Sequence, residues 1–96
     1  MNTQNPFNEL ITKALNLQLF GLQYRRAVNQ TLNENNLSVN STEYQEFVTQ
    51  VTKLIAEKKA LRKTKFEAAN GDYNIYADTE YKQAGKQIKA LEMLVQ

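Results

Sequence analysis

The chain contains no cysteine and no histidine. Without cysteine there can be no disulfide, no thiolate metal site and no thiol nucleophile. Without histidine the commonest general base and the commonest metal ligand are missing together. Ser-His-Asp and Cys-His catalysis are therefore excluded, and only a carboxylate-rich metal site would remain open. The acidic residues do not gather for one. Asp72, Asp78 and Glu80 form the only acidic grouping, spread over a helix start, where they read as caps and partners of the helix dipole. Glycine is scarce too. Gly21, Gly71 and Gly85 lie far apart, so there is no Gly-rich phosphate loop. These absences predict a chain with no enzymatic activity, no metal and no cofactor.

Long apolar runs are also missing. The longest uncharged stretch is residues 14–24, interrupted by Asn16, Gln18 and Gln23, which is too short and too polar to span a bilayer. The first residues, Met-Asn-Thr-Gln-Asn-Pro, lack a basic region, and Glu9 stands where an apolar leader core would begin. Lys13, Arg25 and Arg26 are too few cations to hold the first helix on an anionic lipid surface. The expectation is a cytoplasmic protein without membrane contact. Nor is charge of one sign in excess. Twelve Lys and Arg stand against ten Asp and Glu, a net charge of +2. A nucleic-acid mimic would be strongly acidic and a general nucleic-acid coat more basic.

What is present is a chain of 96 residues, 42% of them hydrophobic. That is enough for one domain, residues 1–96, with a modest core. Asn and Gln supply 20 residues, and Lys outnumbers Arg nine to three. This bias marks an AT-rich gene, as in many short bacterial and phage reading frames, and suggests an inhibitor or adaptor of phage or mobile-element type.

The chain is organised around residues 42–69. Tyr44, Phe47, Val48, Val51, Leu54, Ile55 and Leu61 recur at helical spacing on one narrow face. Further on, Ala77, Tyr81, Ala84, Ile88, Leu91 and Val95 step by four and three, a coiled-coil-like seam. Asn70-Gly71-Asp72 lies between them and suits a turn needing left-handed backbone. The pattern predicts a long antiparallel helical hairpin, residues 42–69 and 77–95. A turn centred there sets Ile55 against Ile88, Val48 against Val95 and Lys65 against Asp78. Thr42 with Gln45 fits a capping box at its start, and Asn40 with Glu43 fits one half a turn earlier. Asp78 is a good cap for a helix beginning at Thr79.

Before the hairpin, Asn5 and Pro6 fit an N-cap and first helical position. Apolar residues from Phe7 to Val28 then predict one helix over residues 6–32, packed across the hairpin. The expected fold is all-α with three helices. The apolar arc of the first helix covers about half its circumference, wider than a two-helix seam needs, and this predicts a homodimer. Gly21 lies inside the arc and permits a bend or close approach, while Phe20 points away toward the polar face. Tyr24, Tyr44 and Tyr81 read as core-edge residues with wet hydroxyls.

The strongest functional feature is basic. Lys58, Lys59, Arg62, Lys63 and Lys65 fall within eight residues near the expected tip, and Tyr73 and Tyr76 follow the turn. Cations at the end of a helix are favoured by its dipole, so a solvated helix end would also explain them. As a site, the mixture of cations and aromatics suits a protein interface, where Tyr and Arg dominate binding. It also suits nucleic acid, with cations on phosphates and rings on bases. The leading expectation is a non-enzymatic module that binds a protein partner through these seven residues, with Phe20 as a further contact. Nucleic-acid binding by the same tip is the second reading.

Overall fold

The computed structural model describes residues 5–95, which form four α-helices and no strand. The first four residues, on which the reading of the N-terminus partly rests, lie outside that range. The helices are α1 (Asn8–Leu15), α2 (Leu22–Glu34), α3 (Thr42–Ala69) and α4 (Thr79–Leu94). A short 3-10 turn, Tyr73–Ala77, precedes α4. The body is elongated, 50 × 24 × 24 Å, and α3 sets that length, since 28 residues at helical rise span about 42 Å. Among the described residues no helix is long and apolar enough to cross a membrane.

Ser41, not Thr42, caps α3: the Ser41 Oγ accepts the Tyr44 backbone N–H at 3.1 Å. It ends where Asn70 enters the left-handed region at φ 50°, followed by Gly71 at φ 86°. Asp78 caps α4, its Oδ1 accepting the Tyr81 N–H at 2.8 Å. The last helix therefore starts at Thr79, two residues later than the seam beginning at Ala77 implies, because Ala77 closes the 3-10 turn. The two long helices are tied by Lys65 to Asp78, Arg62 to the Tyr81 carbonyl and Lys59 to Glu92. Residues ascending in α4 meet residues descending in α3, so the pair runs antiparallel.

The expected single helix over residues 6–32 is two helices. α1 ends in a Schellman pattern: the Leu17 N–H donates to the Ala14 carbonyl and the Gln18 N–H to the Lys13 carbonyl. Leu17 takes the left-handed position usually given to glycine, at φ 59°. The chain then has no regular secondary structure from Gln18 to Phe20 and restarts at Gly21, whose φ of 48° and ψ of −116° are open chiefly to glycine. Leu15, Leu17 and Leu19 alternate rather than recur at helical spacing. Leu17 and Leu19 pack against the core while Gln18 and Phe20 face solvent. The half-circumference arc thus came from folding two helices and an irregular link into one wheel. With the break, α1 and α2 each bury an ordinary stripe, Leu10, Ile11 and Ala14 on one, Tyr24, Val28 and Leu32 on the other. The argument for a homodimer from arc width no longer applies.

The core is aromatic at its N-terminal end. Phe7 stacks on Phe47 with centroids 4.4 Å apart and meets Tyr44 edge-on at 5.8 Å. Asn5 does not cap a helix at Pro6; its side chain accepts the Phe7 N–H at 2.8 Å and turns Phe7 inward. Val51, Leu91 and Leu94 complete the centre. Across it, Gln87 of α4, itself buried, donates to the Leu15 carbonyl at 2.7 Å. That bond satisfies an end carbonyl of α1, which the helix itself leaves free, and holds the start of the break against α4.

Candidate functional site

The tip is built by the turn between α3 and α4. Asp72 accepts the Asn74 N–H at 2.9 Å and starts the 3-10 turn. Ile75 is the buried residue of that turn. Anchoring Ile75 inward leaves its neighbours outside: Tyr73 is 85% exposed and Tyr76 55%. Phe66 of α3, 47% exposed, lies edge-on to Tyr76 at 6.3 Å, and Tyr76 lies edge-on to Tyr81 at 6.2 Å. Phe66, Tyr73, Ile75 and Tyr76 line a depression of about 190 Å³.

The basic residues are less available than their spacing suggests. The Arg62 guanidinium lies over the Tyr81 ring, 4.1 Å from its centroid, and its Nε donates to the Tyr81 carbonyl at 3.2 Å. Gly85 makes room for this: a Cβ there would stand 3.2 Å from Arg62 Cζ. Lys65 pairs with Asp78 at 3.4 Å and Glu80 at 3.7 Å. Lys59 pairs with Glu92 at 3.7 Å. Lys58 is half-buried in a groove with Leu61, Gln83 and Gln87. Lys63 stays exposed, with no ion pair among the described residues. The Tyr81 backbone N–H holds the Asp78 carboxyl below its ordinary pKa; the Lys65 charge adds to this, and desolvation partly opposes both.

The structure therefore brings Arg62, Lys65, Tyr73 and Tyr76 to one end, joined by Phe66 and Tyr81. Lys58 and Lys59 lie further along α3. Phe20 is elsewhere, in the break between α1 and α2, and is 71% exposed.

That break forms a second concavity, of about 260 Å³. Leu17, Leu19, Phe20, Gly21 and Tyr24 line one side, and Lys86, Lys89, Ala90 and Met93 of α4 the other. Its walls are apolar apart from the two lysines. Tyr24 is a correction to the expected core-edge tyrosine. It is 2% exposed, and its hydroxyl has no hydrogen-bond partner among the described residues. Burial pushes the phenol pKa up, and the Leu19 amide nearby opposes this only in part, without reaching hydrogen-bond geometry.

Sequence reasoning missed this concavity because the wheel averaged over the break. The alternation of Leu15, Leu17 and Leu19 ahead of Gly21 was the available signal. Among the described residues no three acidic side chains come together as a metal site.

No family model, curated protein or solved structure matches the chain. The geometry alone carries the functional reading.

Proposed function

We propose that the chain is a non-enzymatic interaction module that binds a protein partner through its aromatic tip, as an inhibitor or adaptor. The observation behind this is the contrast at the tip. Tyr73, Tyr76 and Phe66 are exposed around a shallow depression, while Arg62, Lys65 and Lys59 are already engaged within the chain. Rigid exposed aromatics anchor protein interfaces. Phosphate binding draws on unpaired cations, each contributing about one unit of salt slope. Lys63 is the exposed member of the run without an ion pair among the described residues, and Asp78 and Glu80 already neutralise Lys65. This favours a protein partner over nucleic acid.

The test has two arms. Affinity capture from a source lysate, followed by a binding titration, should identify a partner. Tyr73→Ala and Tyr76→Ala should each weaken it about 30-fold, the cost of a typical hot spot of ~2 kcal/mol. Lys63→Ala should change it little. In the second arm, labelled mixed-sequence DNA and RNA are titrated with protein at low and physiological salt. Saturable binding with a steep salt dependence, reduced by about one unit in Lys63→Ala and again in Lys59→Ala, would overturn the protein reading.

A further inference from the structure

We propose that the concavity at the break between α1 and α2 is a second docking site, taking an acidic amphipathic segment of a protein partner. One apolar anchor of that segment enters between Leu17, Gly21, Ala90 and Met93, and flanking carboxylates meet Lys86 and Lys89. The site stands independently of the tip.

Three observations fix the occupant. First, the rim is positive and uncompensated. Lys86 and Lys89 are exposed and make no ion pair among the described residues. They are three residues apart on α4 and so share one face. A partner segment with Asp or Glu beside its anchor gives complementary charge.

Second, the size suits a side chain. About 260 Å³ falls below the roughly 300–1,000 Å³ of pockets that enclose whole small ligands. It is the scale of one apolar anchor in an interface pocket. Phe20 at 71% and Leu22 at 74% exposure add apolar surface beside the opening, which a bound segment would cover.

Third, a second copy of the chain fits poorly. A two-fold contact lays the same patch on itself. Here that gathers two copies of Lys86 and Lys89 in one interface with no carboxylate among the lining residues to meet them, and like charges brought together in an interface oppose it.

The test uses the full-length protein and a random 12-residue peptide library. Peptides are selected on the wild type and counter-selected on the double variant Lys86→Glu/Lys89→Glu, whose changes lie on the surface. The expected winners carry a Leu, Met or aromatic anchor flanked within four residues by Asp or Glu. An enriched peptide should shift the amide resonances of Leu17, Gly21, Ala90 and Met93 and leave Tyr73 and Tyr76 unmoved. It should bind the double variant and Phe20→Ser at least 10-fold more weakly, with circular dichroism confirming that both remain folded. The proposal is overturned if no peptide separates wild type from variant, or if the winners are neutral or basic. It is equally overturned if the shifts fall at the tip. Decanoate or phosphatidylglycerol vesicles reproducing the same resonance shifts would overturn it in favour of a lipid site. Sedimentation showing a dimer that buries Phe20 would overturn it in favour of self-association.

Discussion

Tyr24→Phe should make the protein more stable. The Tyr24 ring is a wall of the core at 2% exposure, and its hydroxyl lies inside with no partner among the described residues. A buried, unsatisfied hydroxyl costs about 1–3 kcal/mol of lost hydration. Phenylalanine keeps the ring and deletes the cost. The lower end, about 1 kcal/mol, is appropriate because the Leu19 amide lies close enough to relieve part of the penalty. For a domain of this size that is a rise in Tm of about 4–8 °C, or an increase in urea midpoint of up to about 1 M at an m-value near 1 kcal/mol/M.

The alkaline limb gives an independent readout. The folded pKa of Tyr24 is raised above its ordinary value of 10.0. Above pH 10 the unfolded chain loses this proton while the folded chain keeps it. The folded state then holds more protons, so stability falls as pH rises, by up to about 1.4 kcal/mol per unit from this group. Below pH 10 the group contributes no slope. The variant should lack that share of the alkaline loss, so its advantage should widen between pH 10 and 11. Urea titrations at pH 7, 10 and 11 read both effects. A variant less stable than wild type at pH 7, with an unchanged alkaline slope, would refute the buried, unpartnered hydroxyl.

Two further outcomes follow from the backbone and the caps. Gly21→Ala should cost about 1–2 kcal/mol through backbone conformation alone, because the added Cβ meets nothing within 4 Å; a urea midpoint equal to wild type would contradict the geometry of the break. Asp78→Asn keeps a capping side chain but removes the charge. The Asp78 carboxyl is held below its ordinary pKa of 3.8, so its contribution is present above that value and disappears as pH falls through the folded pKa. The variant should therefore show a shallower loss of stability below pH 4, and an unchanged acid limb in chemical denaturation would count against a charged Asp78 capping Tyr81 beside Lys65.

The long helix and its partner were legible because both carry helical apolar periodicity over most of their length and conventional ends. Asn70-Gly71 supplied left-handed backbone, Asp78 a cap and Lys65 a charge facing it. The break at Leu17 was not legible from propensity, since a leucine in the left-handed region is disfavoured locally and is held there by the Schellman bonds and the burial of Leu17 and Leu19. Tertiary packing overrode local preference. The tip aromatics were visible as residue types, but their exposure depends on Ile75 turning inward, which the run Tyr-Asn-Ile-Tyr does not specify by itself. The basic run was over-read for a related reason: a count of cations does not record which ones find partners. Arg62 lies over Tyr81 and close against Gly85, where a Cβ would crowd it, a relation across 23 positions of sequence.

The hydrogen bond from Gln87 to Leu15 has a bearing on the order in which surfaces come into being. Its two ends are 72 residues apart, whereas the contacts that shape the tip, such as Lys65 with Asp78, close a loop of only 13. Short closures cost less chain entropy and form sooner. The tip can thus be assembled while the N-terminal helices are still undocked. The concavity at the break exists only after α1 and α2 have docked on α4, and it disappears whenever they lift away. Local opening of this kind requires less than global unfolding. One surface would then form without the N-terminal helices, and the other would come and go with the seating of α1 and α2, a difference that amide exchange at Leu17 and Ala90 would time directly.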